Sequence, residues 1–182
     1  RVNHYDCSGA AVVKSVEASL RDLRTDYIDI LLLHRPDYLM DVHELAETFS
    51  KLKAQGKVRH FGVSNFSAGQ FQCLENIWSD GLVTNQIEFS PLAFQALDSG
   101  VLEQCVIAGA RPMLWSCLAG GRLLEPTDAR GKAVLTALRQ VGEEVGAVST
   151  GGLDINRHGQ STTPIENTPV IPEPASALLL GV

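Results

Sequence analysis

Residues 27–37 read YIDILLLHRPD. An apolar run of strand length stops abruptly at His34, Arg35 and Pro36. Ile30 to Leu33 are four aliphatic residues in a row, without the polar alternation of a half-solvated strand. Such a run suits a strand covered on both faces, as in a parallel sheet. If so, the pattern must recur with helices between. KVRHFGVSN (57–65), LVTNQ (82–86) and RPMLWS (111–116) read as further strands. The starts, near residues 27, 58, 82 and 111, are spaced by roughly 25–30 residues, the length of a βα crossover unit.

The intervening segments carry helical periodicity. AAVVKSVEASLRDL (10–23) places Val13, Val16, Leu20 and Leu23 on one face. DVHELAETFSKLKAQG (41–56) opens on Asp41 with Glu44 at capping-box spacing, lines up Val42, Leu45, Phe49 and Leu52, and closes on Gly56. SAGQFQCLENIW (67–78) has the same cap signature in Ser67 and Gln70. SGVLEQCVIAG (99–109) and TDARGKAVLTALRQVGEEVG (127–146) complete the series. The chain is therefore expected to be a parallel α/β protein, either open and doubly wound or part of a TIM barrel. No GxGxxG follows a strand, which weighs against a dinucleotide-binding Rossmann fold.

Composition narrows the function classes. The chain has 182 residues, 45% hydrophobic and 20% charged, with a formal net charge of −6. An acidic surface disfavours nucleic acid and anionic membranes as partners. No apolar run reaches the ~20 residues of a membrane helix. Cys7, Cys73, Cys105 and Cys117 lack metal-ligand spacing and read as reduced thiols of a cytoplasmic protein. Near residue 148 the pattern dissolves: residues 149–182 hold four of the eight prolines, show no period, and read as loop or disorder.

The strand tips carry the chemistry. His34 ends the first, Ser64 and Asn65 the second, Asn85 and Gln86 the third, Trp115 and Ser116 the fourth. In a barrel all these tips share one rim, where sites are built. Each residue has an ordinary reading: a lone histidine at a surface, amides in turns, a tryptophan in the core. Gathered at a rim, a neutral imidazole can donate to a substrate oxygen. Amides match a carboxamide, and an indole offers a flat face to an aromatic ring. CLAGGRL (117–123) adds glycines, backbone N–H groups and Arg122, a cradle for phosphate.

SLRDLRTDYIDILLLHRPD (19–37), LKAQGKVRHFGVSNFS (52–67), TNQIEFSPL (84–92) and RPMLWSCLAGGRL (111–123) together resemble the aldo-keto reductase superfamily. The resemblance runs from residue 4 to about 148. It implies a partial (β/α)₈ TIM barrel of about four βα units over residues 1–148, followed by a non-matching tail at 149–182. It also implies reduction of a small aldehyde or ketone with NADPH. His34 matches the active-site histidine, and Ser64, Asn65 and Gln86 the positions that hold the nicotinamide carboxamide. Trp115 matches the aromatic residue that stacks on the nicotinamide, and Ser116, Leu118 and Gly120 the loop that touches the pyrophosphate.

The family's catalytic aspartate, tyrosine and lysine match nothing here. Tyr5 falls in the loop leading to the first helix and is read as a loop residue, not the proton donor. The chain is expected to be a fragment, inactive or nearly so alone, with unpaired backbone along its two outer strands. A nicotinamide-nucleotide-binding module without chemistry, and a gene fragment without function, stay open beside the reductase. Substrate and oligomeric state are not legible.

Overall fold

The computed structural model describes residues 5–145, together with the backbone of Ala177–Leu180. Four parallel strands, β1 (Ile28–Leu33), β2 (Val58–Ser64), β3 (Asn85–Glu88) and β4 (Met113–Trp115), lie in the order β4-β3-β2-β1. Helices α1 (Gly9–Leu23), α2 (Val42–Ala54), α3 (Ala68–Ile77) and α4 (Val101–Ala108) precede, separate and connect them, and α5 (Ala129–Glu144) follows. From β1 to β4 strand order follows chain order, and α1 packs on α2, α2 on α3 and α3 on α4. Helices in one layer on one face make a curled half-barrel. A doubly wound sheet carries helices on both faces, so with one helical layer the alternative left open by the sequence is excluded.

The core lies between that helical layer and the sheet. Val12, Val16 and Leu20 of α1, Leu45, Phe49 and Leu52 of α2, and Phe71 and Leu74 of α3 meet Leu31, Leu33, Phe61 and Val63. By strand alternation Leu32, Gly62 and Ser64 face the concave side, where a barrel interior would be. Gly62 is required there. A Cβ would lie 2.6 Å from Thr84 Cγ2, 2.7 Å from Leu32 Cδ2 and 2.9 Å from the Thr84 carbonyl oxygen, which as backbone cannot swing aside. Gly62→Ala is therefore expected to cost about 1–3 kcal/mol. The check is a lower urea midpoint at unchanged slope.

Local signals explain the boundaries. Asp41 accepts from the His43 and Glu44 N–H groups at 2.9 and 3.2 Å. The reciprocal half of that box is not made, because Glu44 reaches across to the Gly9 N–H at 3.0 Å and docks α1 on α2. Ser67 and Gln70 form both halves of a capping box at α3. The buried stripe of α1 is Gly9, Val12, Val16 and Leu20; the expected Val13 and Leu23 are exposed, since the helix is rotated to set its small N-terminus against α2.

Two expectations are corrected. The third strand begins at Asn85, so Asn85 and Gln86 open it and Glu88 ends it. The apolar alternation simply continues through Ile87. Residues 177–180, expected to be loop or disorder, form a fifth strand, β5, parallel to β1 with Ile30 opposite Ala177 and Leu33 opposite Leu180. A bare strand edge presents a row of N–H and C=O groups that an extended segment can pair. The β1 edge is thus covered, and β4 is the outer strand on the other side. The rest of the tail, 146–176 and 181–182, lies outside the described residues, as does the expected domain boundary near 148.

Candidate functional site

Register sets the ends of β1 and β2 level with the start of β3. Leu33 is opposite Val63 and Val63 opposite Asn85, so the next residues, His34, Ser64 and Gln86, follow at one height; Ser64 and Gln86 are a paired position. Gln86 is opposite Met113 and Glu88 opposite Trp115, which lifts the indole two residues further along the sheet.

A hydrogen-bonded chain joins these tips. The Trp115 Nε1–H donates to Asn65 Oδ1 at 3.1 Å, although fifty positions separate the two. Asn65 Nδ2 donates to Ser64 Oγ at 2.8 Å and, more weakly, to the His34 carbonyl oxygen at 3.4 Å. Ser64 Oγ donates toward the Gln86 main-chain and side-chain oxygens at 3.2 and 3.3 Å. The Asn65 N–H donates to the Gln86 carbonyl at 2.8 Å. Asn65 holds this position in the left-handed region, at φ 59°. Asparagine tolerates that conformation better than most residues, and it turns the side chain from the strand toward the indole.

Of the two adjacent amides, only Gln86 joins the chain. Asn85 is wholly buried, and its Nδ2 donates to the Phe66 carbonyl at 2.9 Å, bracing the turn after β2 instead. Gln86 Oε1 is taken by Ser64, while its Nε2 has no partner among the described residues. That leaves a donor for a further carbonyl oxygen.

Beyond Trp115 the backbone coils tightly. Ser116, Ala119 and Gly120 are left-handed, with φ of 57°, 54° and 66°. The Ala119 N–H donates to the Ser116 carbonyl at 2.7 Å and the Gly121 N–H to that of Leu118 at 3.0 Å. The N–H groups of Cys117 and Leu118 have no partner among the described residues. Gly120 has open space where a Cβ would point, and Leu118 is exposed. Arg122 donates from Nε to the Ala119 carbonyl at 3.0 Å and remains exposed. Strained residues with outward N–H groups at a strand tip can receive an anion.

A cavity of about 530 Å³ opens at this end, lined by Tyr5, Arg35, Asp37, Tyr38 and Asn65 among others. Tyr5 and Arg35 were not singled out as site residues from sequence. The Tyr5 ring stands edge-on to the His34 imidazole, with centroids 6.1 Å apart and planes at 87°. The Arg35 guanidinium lies 5.9 Å from the Trp115 ring centroid, the outer reach of a cation–π contact. Arg35 adjoins His34 in the chain, a signal available in principle. Nothing in the sequence pattern ties Tyr5 to His34, because their contact spans the whole of α1. A second depression, about 390 Å³, lies at the other end of the sheet beside Arg21, Arg24 and Lys57.

The four thiols divide by burial. Cys7 and Cys105 are buried and burial pushes both thiols above their ordinary value near 9.0; Cys73 and Cys117 are exposed. A thiol reagent at pH 8 is expected to label Cys73 and Cys117 quickly and the other two only on unfolding, checked by peptide mapping. The raised pair also sets a sign. The unfolded chain ionises first, so their contribution to stability is complete below pH 9 and is lost as pH rises through the folded values.

The model of the Aldo/keto reductase family matches residues 1–146. The uncharacterized oxidoreductase YcsN of Bacillus subtilis is 48% identical over 82% of this chain and 50% of its own length. Oxidoreductase YdhF of Escherichia coli is 45% identical over 81% of this chain and 49% of its own length. The chain thus spans about half the length of the curated relatives it matches. Among solved structures, the thermostable aldo-keto reductase Tm1743 superposes with a TM-score of 0.69 at 23% identity, over 78% of this chain and 49% of that one. Among the described residues no helix is long and apolar enough to cross a membrane.

Proposed function

The chain belongs to the Aldo/keto reductase family, and from that premise we propose that its strand tips form the nicotinamide end of an NADPH site, beside a pocket for a small aldehyde or ketone. The observation that carries this reading is the bonded chain Trp115–Asn65–Ser64–Gln86, which joins the ends of β2 and β4 to the start of β3. When bound, the coenzyme supplies the hydride that reduces the carbonyl carbon. The residues present fit it. Gln86 Nε2 offers a donor to the carboxamide oxygen, and Asn65 and Ser64 offer acceptors to its amino group. Trp115 is only half-buried and presents its indole face to the nicotinamide. Ser116, Leu118 and Gly120, with the outward N–H groups of the tight coil, face the pyrophosphate.

In this reading His34 donates a hydrogen bond to the substrate oxygen and orients it as negative charge grows there. The resemblance assigns no tyrosine, lysine or aspartate of the chain to proton delivery. General acid catalysis contributes about 10²–10⁴-fold, so the chain alone is expected to bind coenzyme and turn over aldehyde slowly or not at all. The preference for NADPH over NADH rests on the family. Four free thiols fit a cytoplasmic setting.

The test is a titration of the purified chain with NADPH, followed by tryptophan fluorescence, beside an assay of NADPH oxidation with a simple aldehyde. Saturable quenching that is lost in Trp115→Phe is the expected result. Binding without turnover supports the half-site; no saturable quenching overturns the reading. Turnover at the rate of a complete reductase overturns the proposed loss of proton delivery.

A further inference from the structure

One segment is held against the site although the reading above gives it no role. Tyr5, Asp6 and Cys7 precede α1 and belong to no helix or strand. Even so, Cys7 is 3% exposed. Its N–H donates to Asp37 Oδ2 at 3.4 Å and its thiol to the Arg35 carbonyl at 3.8 Å. Ser8 then caps α1 by accepting from the Ala11 N–H. Gly9 follows so close to α2 that a Cβ would fall 2.3 Å from Thr48 Oγ1. Three residues in succession are thereby pinned, Cys7 to the segment that follows His34, Ser8 to its own helix and Gly9 to α2. Loops without such ties sample many conformations.

The pinned loop delivers one large side chain to the site. Tyr5 stands edge-on to His34, at a separation where perpendicular aromatic rings attract. The same ring lines the 530 Å³ cavity with Arg35 and Asn65. The His34 imidazole has no hydrogen bond among the described residues, and the Tyr5 ring is the aromatic contact it makes there. An imidazole that must meet a substrate oxygen gains from being held before the substrate arrives.

We propose that Tyr5 is a positioning residue for His34, carried to it by the Cys7–Asp37 tie and acting through its ring rather than its hydroxyl. This rests on the reading of His34 as the group that orients the carbonyl. The test, however, uses the full chain without coenzyme, so a failure of coenzyme binding leaves it readable. Proton NMR of the wild-type chain is expected to show Overhauser contacts between the Tyr5 and His34 rings. It should also show a single set of His34 imidazole signals, assigned with His34→Gln. Tyr5→Phe should keep that single set. Tyr5→Leu should shift or double it while the backbone amide spectrum stays folded. Absence of ring-to-ring contacts in the wild type overturns the proposal. So does an unmoved His34 in Tyr5→Leu, or a Tyr5→Phe spectrum as altered as that of Tyr5→Leu. If Tyr5→Leu does not fold, the wild-type contacts and the phenylalanine variant decide.

Discussion

Phe61→Ala should remove about 3–5 kcal/mol of the chain's stability. The Phe61 ring is 1% exposed, stacks on Phe49 with centroids 4.0 Å apart, and meets Trp78 edge-on at 5.4 Å. Phe49 meets Trp78 edge-on as well, at 5.6 Å, so three rings from β2, α2 and the end of α3 form one closed triad. Truncating a buried phenylalanine costs about 3–5 kcal/mol, from lost transfer energy and the cavity left behind. A domain of ordinary stability has only about 5–15 kcal/mol in total. The check is the urea midpoint by circular dichroism. Phe61→Leu, which keeps most of the volume, should retain a cooperative transition; equal midpoints for wild type and Phe61→Ala would mean that this triad is not the centre of the fold.

Asn65→Ala should damage both stability and coenzyme binding, by separate routes that a second variant separates. The residue is left-handed at φ 59°, where a Cβ without a compensating polar group costs about 1–2 kcal/mol. Its side chain also joins the Trp115 indole N–H to Ser64 Oγ. Each such hydrogen bond is worth about 0.5–1.5 kcal/mol net, more when a partner is left buried and unpaired. Asn65→Gly restores the backbone freedom and not the links. The glycine variant should therefore match the wild type in urea midpoint far better than the alanine variant does. Both should bind NADPH at least about tenfold more weakly, the equivalent of about 1.4 kcal/mol. Wild-type affinity in Asn65→Gly would remove Asn65 from the proposed site.

The strand runs were legible because covered parallel strands are continuous in apolar character, and YIDILLL and FGVS leave little else to be. Helix starts at Asp41 and Ser67 were legible because side-chain caps are local. The stripe of α1 was misjudged by one position. Val12 and Val13 satisfy the helical period almost equally, and the choice is made by how closely Gly9 approaches Thr48 across thirty-nine residues. The third strand was placed early, at 82–86, because the apolar character of Leu82 and Val83 precedes that of Ile87; its paired register with β2 starts at Asn85 and with β4 at Gln86. At the site, His34, Ser64, Asn65, Gln86 and Trp115 were singled out because the ends of parallel strands share one rim, and four of them, Ser64, Asn65, Gln86 and Trp115, share one hydrogen-bonded chain although Gln86 opens its strand. That Gln86 would join the bonded chain and Asn85 would turn to the Phe66 carbonyl depends on which face each side chain takes. Tyr5 was read as a loop residue because its segment leads into the first helix, and its contact with His34, across α1 and β1, leaves no local signal.

The most direct measurement is a two-dimensional NMR titration of the isotope-labelled chain with NADPH, following side-chain N–H signals. The account predicts that the Trp115 indole and the Asn65 and Gln86 amides shift together along one saturation curve, with the backbone N–H groups of Ser116 to Gly120. Unmoved signals at these positions, or shifts concentrated instead around Arg21, Arg24 and Lys57 at the other end of the sheet, would contradict it.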